Sequence, residues 1–111
     1  MDTPLSLTPD ELTIKAGDTS PFEVTVHDAD GEADLSDVRR ARLTIAPRFG
    51  DPIVSEGRVD IVEESDLRYD WRSGETDSSG VYRGEFELQT SDGTFYAPTE
   101  GFLTITITDH P

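Results

Sequence analysis

The feature that most constrains the fold is a short-period alternation of apolar and polar residues that recurs along the chain. Phe22 to His27 reads Phe-Glu-Val-Thr-Val-His, and Leu103 to Thr108 alternates leucine and isoleucine with threonine. Successive side chains of a β-strand point to opposite faces of a sheet, so a period of two predicts half-buried strands. No segment shows helical periodicity over even three turns. The pattern therefore predicts an all-β protein.

Turn signals divide the alternating runs into about seven to eight short strands, spaced by roughly ten residues. Asp28-Ala29-Asp30-Gly31 and Ser91-Asp92-Gly93-Thr94 are typical of tight reversals, because Asp and Gly accept a positive φ. Such a series of short strands predicts an antiparallel β-sandwich. The expected strands are Glu11 to Lys15, Phe22 to His27, Val38 to Ala46, Ile53-Val54, Val59 to Ile61, Leu67 to Trp71, Val81 to Gln89 and Phe102 to Thr108.

The length of 111 residues fits one domain with a single core. We expect that core to span about residues 11–108, with Met1 to Thr8 and Asp109 to Pro111 as extended arms that a neighbouring molecule could order. Cysteine is absent, which excludes disulfides and thiolate metal sites. The start Met1-Asp2-Thr3-Pro4 lacks a basic segment followed by an apolar stretch, so synthesis in the cytoplasm without secretion is expected.

Charge indicates where the protein works. Asp and Glu outnumber Lys and Arg by 24 to 9, and only Lys15 among the nine basic residues is a lysine. A net charge of −15 destabilises a compact state by self-repulsion, which concentrated salt screens. This composition is typical of salt-in halophilic microbes and their viruses. It disfavours nucleic acid and anionic membranes as partners, and no window approaches the length of a membrane span.

Arginines are the candidates for contacts between such acidic molecules. Arg39, Arg40 and Arg42 cluster within one expected strand, and Arg48 follows it. A solvated strand face or an ion pair between subunits explains the cluster better than phosphate contacts do. We therefore expect these four side chains to meet carboxylates of a partner.

Catalysis and metal binding find little support in the residue pattern. A nucleophile needs a base, and only His27, at the end of a strand, and His110, the penultimate residue, are present. No catalytic residue and no cofactor is therefore predicted. Asp28, Asp30 and Asp34 follow the spacing D-x-D-G-x-x-D, which could offer oxygen ligands to calcium. The pattern lacks the distal glutamate of an EF-hand, so a hairpin turn with solvated acids is favoured over a calcium site.

Four aromatic residues are candidates for partner contacts. Trp71 alternates with Tyr69 and Leu67, which favours a core position over an interface. Phe49 lies in Pro47-Arg48-Phe49-Gly50-Asp51-Pro52 without an alternating partner, so an exposed residue reserved for a neighbour and a lid on the core are equal alternatives. Phe95 and Tyr96, in the expected loop before the last strand, have the same two interpretations.

The order of these motifs resembles the immunoglobulin-like N-terminal domain of upper baseplate proteins from tailed bacteriophages. The resembling segments, over roughly residues 11–108, are Lys15-Ala16-Gly17-Asp18, Phe22 to Val26 leading into Asp28-Ala29-Asp30-Gly31, Ala33-Asp34-Leu35-Ser36, Gly80 to Leu88, Asp92-Gly93 and Leu103 to Ile107. The resemblance implies an immunoglobulin-like sandwich and a non-enzymatic virion protein that docks on other tail proteins and often forms rings. The family continues beyond the point that corresponds to Pro111, which makes an adaptor more plausible here than a host receptor-binding protein.

Two functions from different classes are thus expected from the sequence. The first is a structural protein in the virion of a halophilic tailed virus, as a baseplate or tail adaptor or a capsid decoration protein. It would be made in the host cytoplasm at high salt, and would act as a homo-oligomer or ring in contact with other virion proteins. The alternative is an immunoglobulin-like module that binds carbohydrate or calcium.

Overall fold

A computed structural model describes residues 3–109, which form ten β-strands and no helix. The expected all-β, immunoglobulin-like antiparallel sandwich is confirmed, with short strands in addition to those predicted. The strands are β1 (Ser6–Thr8), β2 (Glu11–Lys15), β3 (Phe22–Asp28), β4 (Gly31–Glu32), β5 (Val38–Pro47), β6 (Val54–Val62), β7 (Asp66–Tyr69), β8 (Gly80–Thr90), β9 (Gly93–Ala97) and β10 (Leu103–Thr108).

The strands form two sheets that share β6. The smaller sheet contains β1, β3, β4 and β7, whereas the larger sheet contains β5, β8, β9, β10 and β2. The first part of β6 pairs with β5, and Asp60 to Val62 pair with β7, so β6 passes from one sheet to the other. All pairs are antiparallel except β2 with β10, which run parallel. Strands β1 and β2 are consecutive in the chain but lie at opposite ends of the strand order, β1 in the smaller sheet and β2 in the larger. One N-terminal segment therefore borders both sheets at the side opposite β6.

Strand β6 corrects the prediction of two short strands at Ile53-Val54 and Val59 to Ile61. It is continuous from Val54 to Val62 and carries a bulge, because the register shifts between Leu43 opposite Gly57 and Ile45 opposite Val54. The extra residue bends the strand and gives Glu56 a φ of 51°. The extra residue of a bulge changes which positions face inward on either side of it. Strict alternation of apolar and polar residues therefore does not predict a continuous strand here.

The core follows the predicted parity in β3, β5, β8 and β10. The inward residues are buried between the sheets, and the residues between them are half-buried or exposed. The largest fully buried side chains are Phe86, Leu35, Leu43, Ile45, Leu67, Leu88, Leu103, Ile105, Ile107, Val24, Val26 and Val54. Burial of this apolar surface is the main favourable term for folding, at about 25 cal/mol per Å².

Two segments predicted to lie outside the sheets belong to them. Leu5 and Leu7 are buried, and β1 pairs with β3, so the core begins before residue 11 and residues 3–8 are not a free arm. The expected loop around Phe95 and Tyr96 is strand β9, which forms a hairpin with β8 and buries Ala97. Met1, Asp2, His110 and Pro111 lie outside the described residues, as do the expectations that concern them.

Candidate protein-binding surfaces

The outward face of the larger sheet concentrates exposed apolar side chains. Of the large hydrophobic residues in the described part of the chain, Phe49, Val81, Phe102 and Tyr96 are strongly exposed, at 84%, 62%, 48% and 46%. Val81 lies opposite Thr106 and Tyr96 opposite Glu87 on the outward side, while Phe102 precedes β10 and Phe49 follows β5. Apolar residues gathered on one solvent face mark a contact surface more often than scattered ones do.

Arginines accompany the exposed aromatic rings. The guanidinium carbon of Arg83 lies 5.1 Å from the centroid of the Phe102 ring, and that of Arg48 lies 5.5 Å from the centroid of the Phe49 ring. Both distances fall in the range of cation–π contacts. Arg48, Arg83 and Phe102 line one groove of about 260 Å³, together with Glu85. We call this surface, defined by Arg48, Phe49, Val81, Arg83, Tyr96 and Phe102, the aromatic face.

A second feature is a cleft of about 410 Å³ beside β5 and β6. Four arginines line it together with two glutamates; we call this site, formed by Arg40, Arg42, Arg58, Arg72, Glu56 and Glu75, the arginine cleft. Arg42 and Arg58 are directly opposite in the β5–β6 register. Like charges at opposite positions of a strand pair are destabilising unless a counter-charge lies between them.

Internal partners satisfy some groups of the cleft. Glu56 accepts a bond from Arg42 at 3.3 Å, and Arg40 donates from Nε and Nη2 to the side-chain oxygen Oε1 of Gln89 at 3.0 and 2.7 Å. The closest carboxylate to Arg58 is that of Asp60 at 3.7 Å, and the Arg58 side chain is 87% exposed. The cleft therefore contains guanidinium groups that remain open to a ligand.

Gly57 and Tyr69 shape the floor of the cleft. A Cβ atom at Gly57 would lie 2.7 Å from Val54 Cγ1 and 2.8 Å from Tyr69 Cε1, so only glycine lets the tyrosine ring pass over this backbone. The Tyr69 hydroxyl donates to Glu75 Oε1 at 2.8 Å, and the same oxygen accepts the Arg72 backbone N–H at 2.7 Å. Burial, and then the hydrogen bond to Glu75, raise the pKa of Tyr69 well above its usual range.

Carboxylates gather at the end of the sandwich where β6 turns into β7. A groove of about 470 Å³ is lined by five acids and no basic residue; we call this site, formed by Glu32, Asp34, Glu63, Glu64 and Asp66, the acidic groove. Two hydrogen bonds hold its walls together, from Leu35 N–H to the Glu64 carbonyl and from the Ser65 hydroxyl to the Ala33 carbonyl. Hydrogen bonds from the Ser36 backbone N–H and hydroxyl lower the pKa of the Asp34 carboxyl.

The structure separates the predicted contact residues into two groups. Arg39, Arg40, Arg48, Phe49 and Tyr96 are exposed, and Arg42 is half-buried beside Glu56. Of the two alternatives for Phe49, exposure is correct.

Trp71 and Phe95 are not available to a partner in the same way. Trp71 is buried, as the favoured alternative predicted, and its ring centroid lies 5.3 Å from that of Tyr69 and 5.5 Å from that of Phe22. Phe95 is half-buried and packs against the core.

Sequence reasoning missed several residues of these surfaces. Val81, Arg83 and Phe102 belong to the aromatic face, and Arg58 and Arg72 belong to the arginine cleft. Tyr82 faces inward, so its neighbour Val81 faces outward. An apolar residue at this outward position was the signal that could have identified Val81. Arg58 and Arg72 join Arg40 only through strand pairing, which the local sequence does not specify.

Calcium ligation by Asp28, Asp30 and Asp34 is not supported by the geometry. Asp28 Oδ1 accepts the Asp30 backbone N–H at 2.9 Å, and Asp34 Oδ1 accepts the Ser36 backbone N–H at 2.9 Å. Within residues 3–109, no three His, Asp or Glu side chains are placed to hold a metal ion. The same residues include no helix with the length and apolar character needed to span a bilayer.

Comparison with known proteins shows the fold of the chain. No family model and no curated protein matches it. Among solved structures, it is similar to the crystal structure of CopC from Methylosinus trichosporium OB3b, with a TM-score of 0.57 and 16% sequence identity. The alignment covers 95% of this chain and 91% of that chain, so the similarity extends over the whole sandwich.

Proposed function

We propose that this chain is a non-enzymatic structural protein in the virion of a halophilic tailed virus, as a baseplate or tail adaptor or a capsid decoration protein. The observation that carries the proposal is the aromatic face, on which exposed apolar groups and arginines lie together on an otherwise acidic protein. Aromatic residues and arginine are the types enriched where binding energy concentrates at protein interfaces. This chemistry supports docking on another protein.

The chemistry of the aromatic face favours binding over catalysis. Phe49, Val81 and Phe102 offer apolar area, whereas Arg48 and Arg83 offer fixed positive charge. Phenyl and valine side chains have no titratable group, and a guanidinium offers only hydrogen-bond donors. These five side chains can therefore hold a partner, and they supply no general acid or base.

Concentrated salt suits contacts of this kind. The Debye length falls to about 3 Å at 1 M salt, so subunits with a charge of −15 approach each other with little repulsion. Long-range attraction is lost as well, which leaves contact interactions to hold the partner. Apolar burial and weakly hydrated guanidinium groups fulfil that requirement.

The proposal is tested with particles from a high-salt culture that produces the chain. A photo-crosslinking amino acid is placed at Phe49 in one variant and at Arg68, on β7 of the smaller sheet, in a matched control. We expect mass spectrometry to find the chain in purified particles, and position 49 to crosslink to a second virion protein while position 68 does not. Dilution of the salt should release the chain from the particles.

Two results would overturn the proposed function. One is absence of the chain from purified particles, and the other is equal crosslinking from positions 49 and 68. Binding that strengthens as salt is diluted would contradict the adaptation to high salt.

A further inference from the structure

We infer that the arginine cleft binds the acidic groove of a second copy of this chain, so that copies associate head to tail. The inference deepens the proposed function by naming the surfaces through which a virion protein of this kind would contact itself. The two sites lie on different parts of one molecule, and their charges are opposite. Each copy can therefore act as receptor on one side and as ligand on the other.

The cleft has more positive charge than its own carboxylates neutralise. Four arginines face two glutamates, and Glu56 is already bonded to Arg42. One oxygen of Glu75 already accepts bonds from the Tyr69 hydroxyl and the Arg72 backbone N–H. The guanidinium of Arg72 has no carboxylate within 4.0 Å in the described part of the chain, and Arg58 has only the loose contact with Asp60. Arg58 and Arg72 are thus the groups most open to carboxylates of another molecule.

The acidic groove has more negative charge than nearby basic residues neutralise. Its five acids make none of the ion pairs found among residues 3–109, and the Asp66 carboxylate accepts a bond from the Thr25 hydroxyl at 2.7 Å. Glu63 and Glu64 are both exposed, at the turn that follows β6. The acids of this exposed turn can enter the cleft of about 410 Å³ on a second copy, which four arginines line.

The contact is heterologous, because the cleft and the groove share no residue. Contacts of this type generate a closed ring when the rotation between copies closes and an open filament when it does not. Arginine and carboxylate groups form short, directional hydrogen bonds, often in pairs, that persist when longer-range charge interactions are screened. Salt then removes the repulsion between whole subunits more than it weakens the contact itself.

Two charge-neutralising variants test the contact in the full chain. The cleft variant combines Arg58→Gln with Arg72→Gln, and the groove variant combines Glu63→Gln with Glu64→Gln. Matched controls are Arg68→Gln on the smaller sheet and Glu100→Gln in the loop before β10, which touch neither site. Sedimentation velocity gives the mass of each protein in about 3 M KCl, where the Debye length is below about 3 Å.

We expect the wild-type chain and both controls to form oligomers of the same size, and each double variant alone to be a monomer, with self-association weakened by roughly 100-fold or more. An equimolar mixture of the two double variants should form a dimer and nothing larger. The groove variant retains a native cleft and the cleft variant retains a native groove, so one contact remains. Dimer formation also shows that both variants are folded.

A monomeric wild-type chain, double variants that keep the wild-type size, or a mixture that stays monomeric would each overturn the inference. These outcomes are independent of the test of the proposed function. Crosslinking from Phe49 to another virion protein, combined with a monomeric wild-type chain, would remove only the head-to-tail contact. Absence of the chain from particles, combined with a dimeric mixture, would remove only the virion role.

Discussion

Two groups of aromatic residues in this molecule have similar composition and opposite surroundings. Phe22, Tyr69 and Trp71 form a core trio, with ring centroids 5.3 to 6.0 Å apart and tilted or edge-on geometry. On the aromatic face, Phe49 and Phe102 each have an arginine over the ring and are exposed to solvent. The comparison separates aromatic residues that hold the fold from those that remain available to a partner.

The positions of the two groups explain the difference. Phe22 and Tyr69 are opposite each other in the β3–β7 register, and Trp71 continues the inward parity of β7. Edge-on aromatic pairs of this kind contribute about 0.5–1.5 kcal/mol beyond the apolar area that they bury. Phe49 and Phe102 lie in segments before or after a strand, where no facing sheet covers them. Surroundings, and not residue type, decide which rings stabilise the sandwich.

The largest expected effect comes from truncation of one ring in each group. Trp71→Ala should lower the free energy of unfolding by about 3–5 kcal/mol, because it removes a buried ring and leaves a cavity. Phe49→Ala should change it by less than about 0.5 kcal/mol, because the ring is 84% exposed. Urea unfolding in concentrated KCl, followed by tryptophan-independent far-UV circular dichroism, measures both. Equal losses of unfolding free energy for the two variants would contradict the distinction between the two groups of aromatic residues.

Alternation predicted the core trio and most of the inward residues, because parity along a strand is a local property of the sequence. It failed at Leu5 and Leu7, where flanking prolines interrupt the run, and at β9, where the small side chain of Ala97 hides an inward position. It also failed across the β6 bulge. In each case the alternation of apolar and polar residues is too short or too irregular to predict the strand.

The binding surfaces were less predictable than the core, for a physical reason. Exposure of Phe49 was one of two open alternatives, since a loop aromatic can turn either way. The arginine cleft depends on pairing between β5 and β6 and on the segment after β7, which brings Arg72 to Arg40 across more than thirty positions of sequence. The acidic groove likewise joins β4 to the β6–β7 turn. Tertiary register assembles these sites, so no single segment carries their signal.

A smaller effect is expected where the core trio meets the arginine cleft. Gly57→Ala places a methyl group within 2.8 Å of the Tyr69 ring and 2.7 Å of Val54. Overpacking of this kind costs about 1–3 kcal/mol, because the ring must leave its position against Trp71. Ser55→Ala, at an exposed position of the same strand, is the matched control and should be nearly neutral. Thermal unfolding in concentrated salt compares the two, and an unchanged midpoint for Gly57→Ala would show that the trio tolerates displacement.

The smallest expected effect isolates the polar link between the trio and the cleft. Tyr69→Phe removes the hydroxyl that donates to Glu75 and should lower the free energy of unfolding by about 0.5–1.5 kcal/mol at neutral pH. The raised pKa of Tyr69 adds a pH dependence. The folded state keeps the phenol proton more firmly than the unfolded chain, so this stabilisation is complete below about pH 10, where a free tyrosine ionises, and is lost as the pH rises further. Urea titrations of wild type and Tyr69→Phe, between neutral and strongly alkaline pH, measure this effect. The free energies of unfolding of the two proteins should converge as the pH rises. A difference that stays constant would contradict a link between ionisation of the Tyr69 hydroxyl and unfolding.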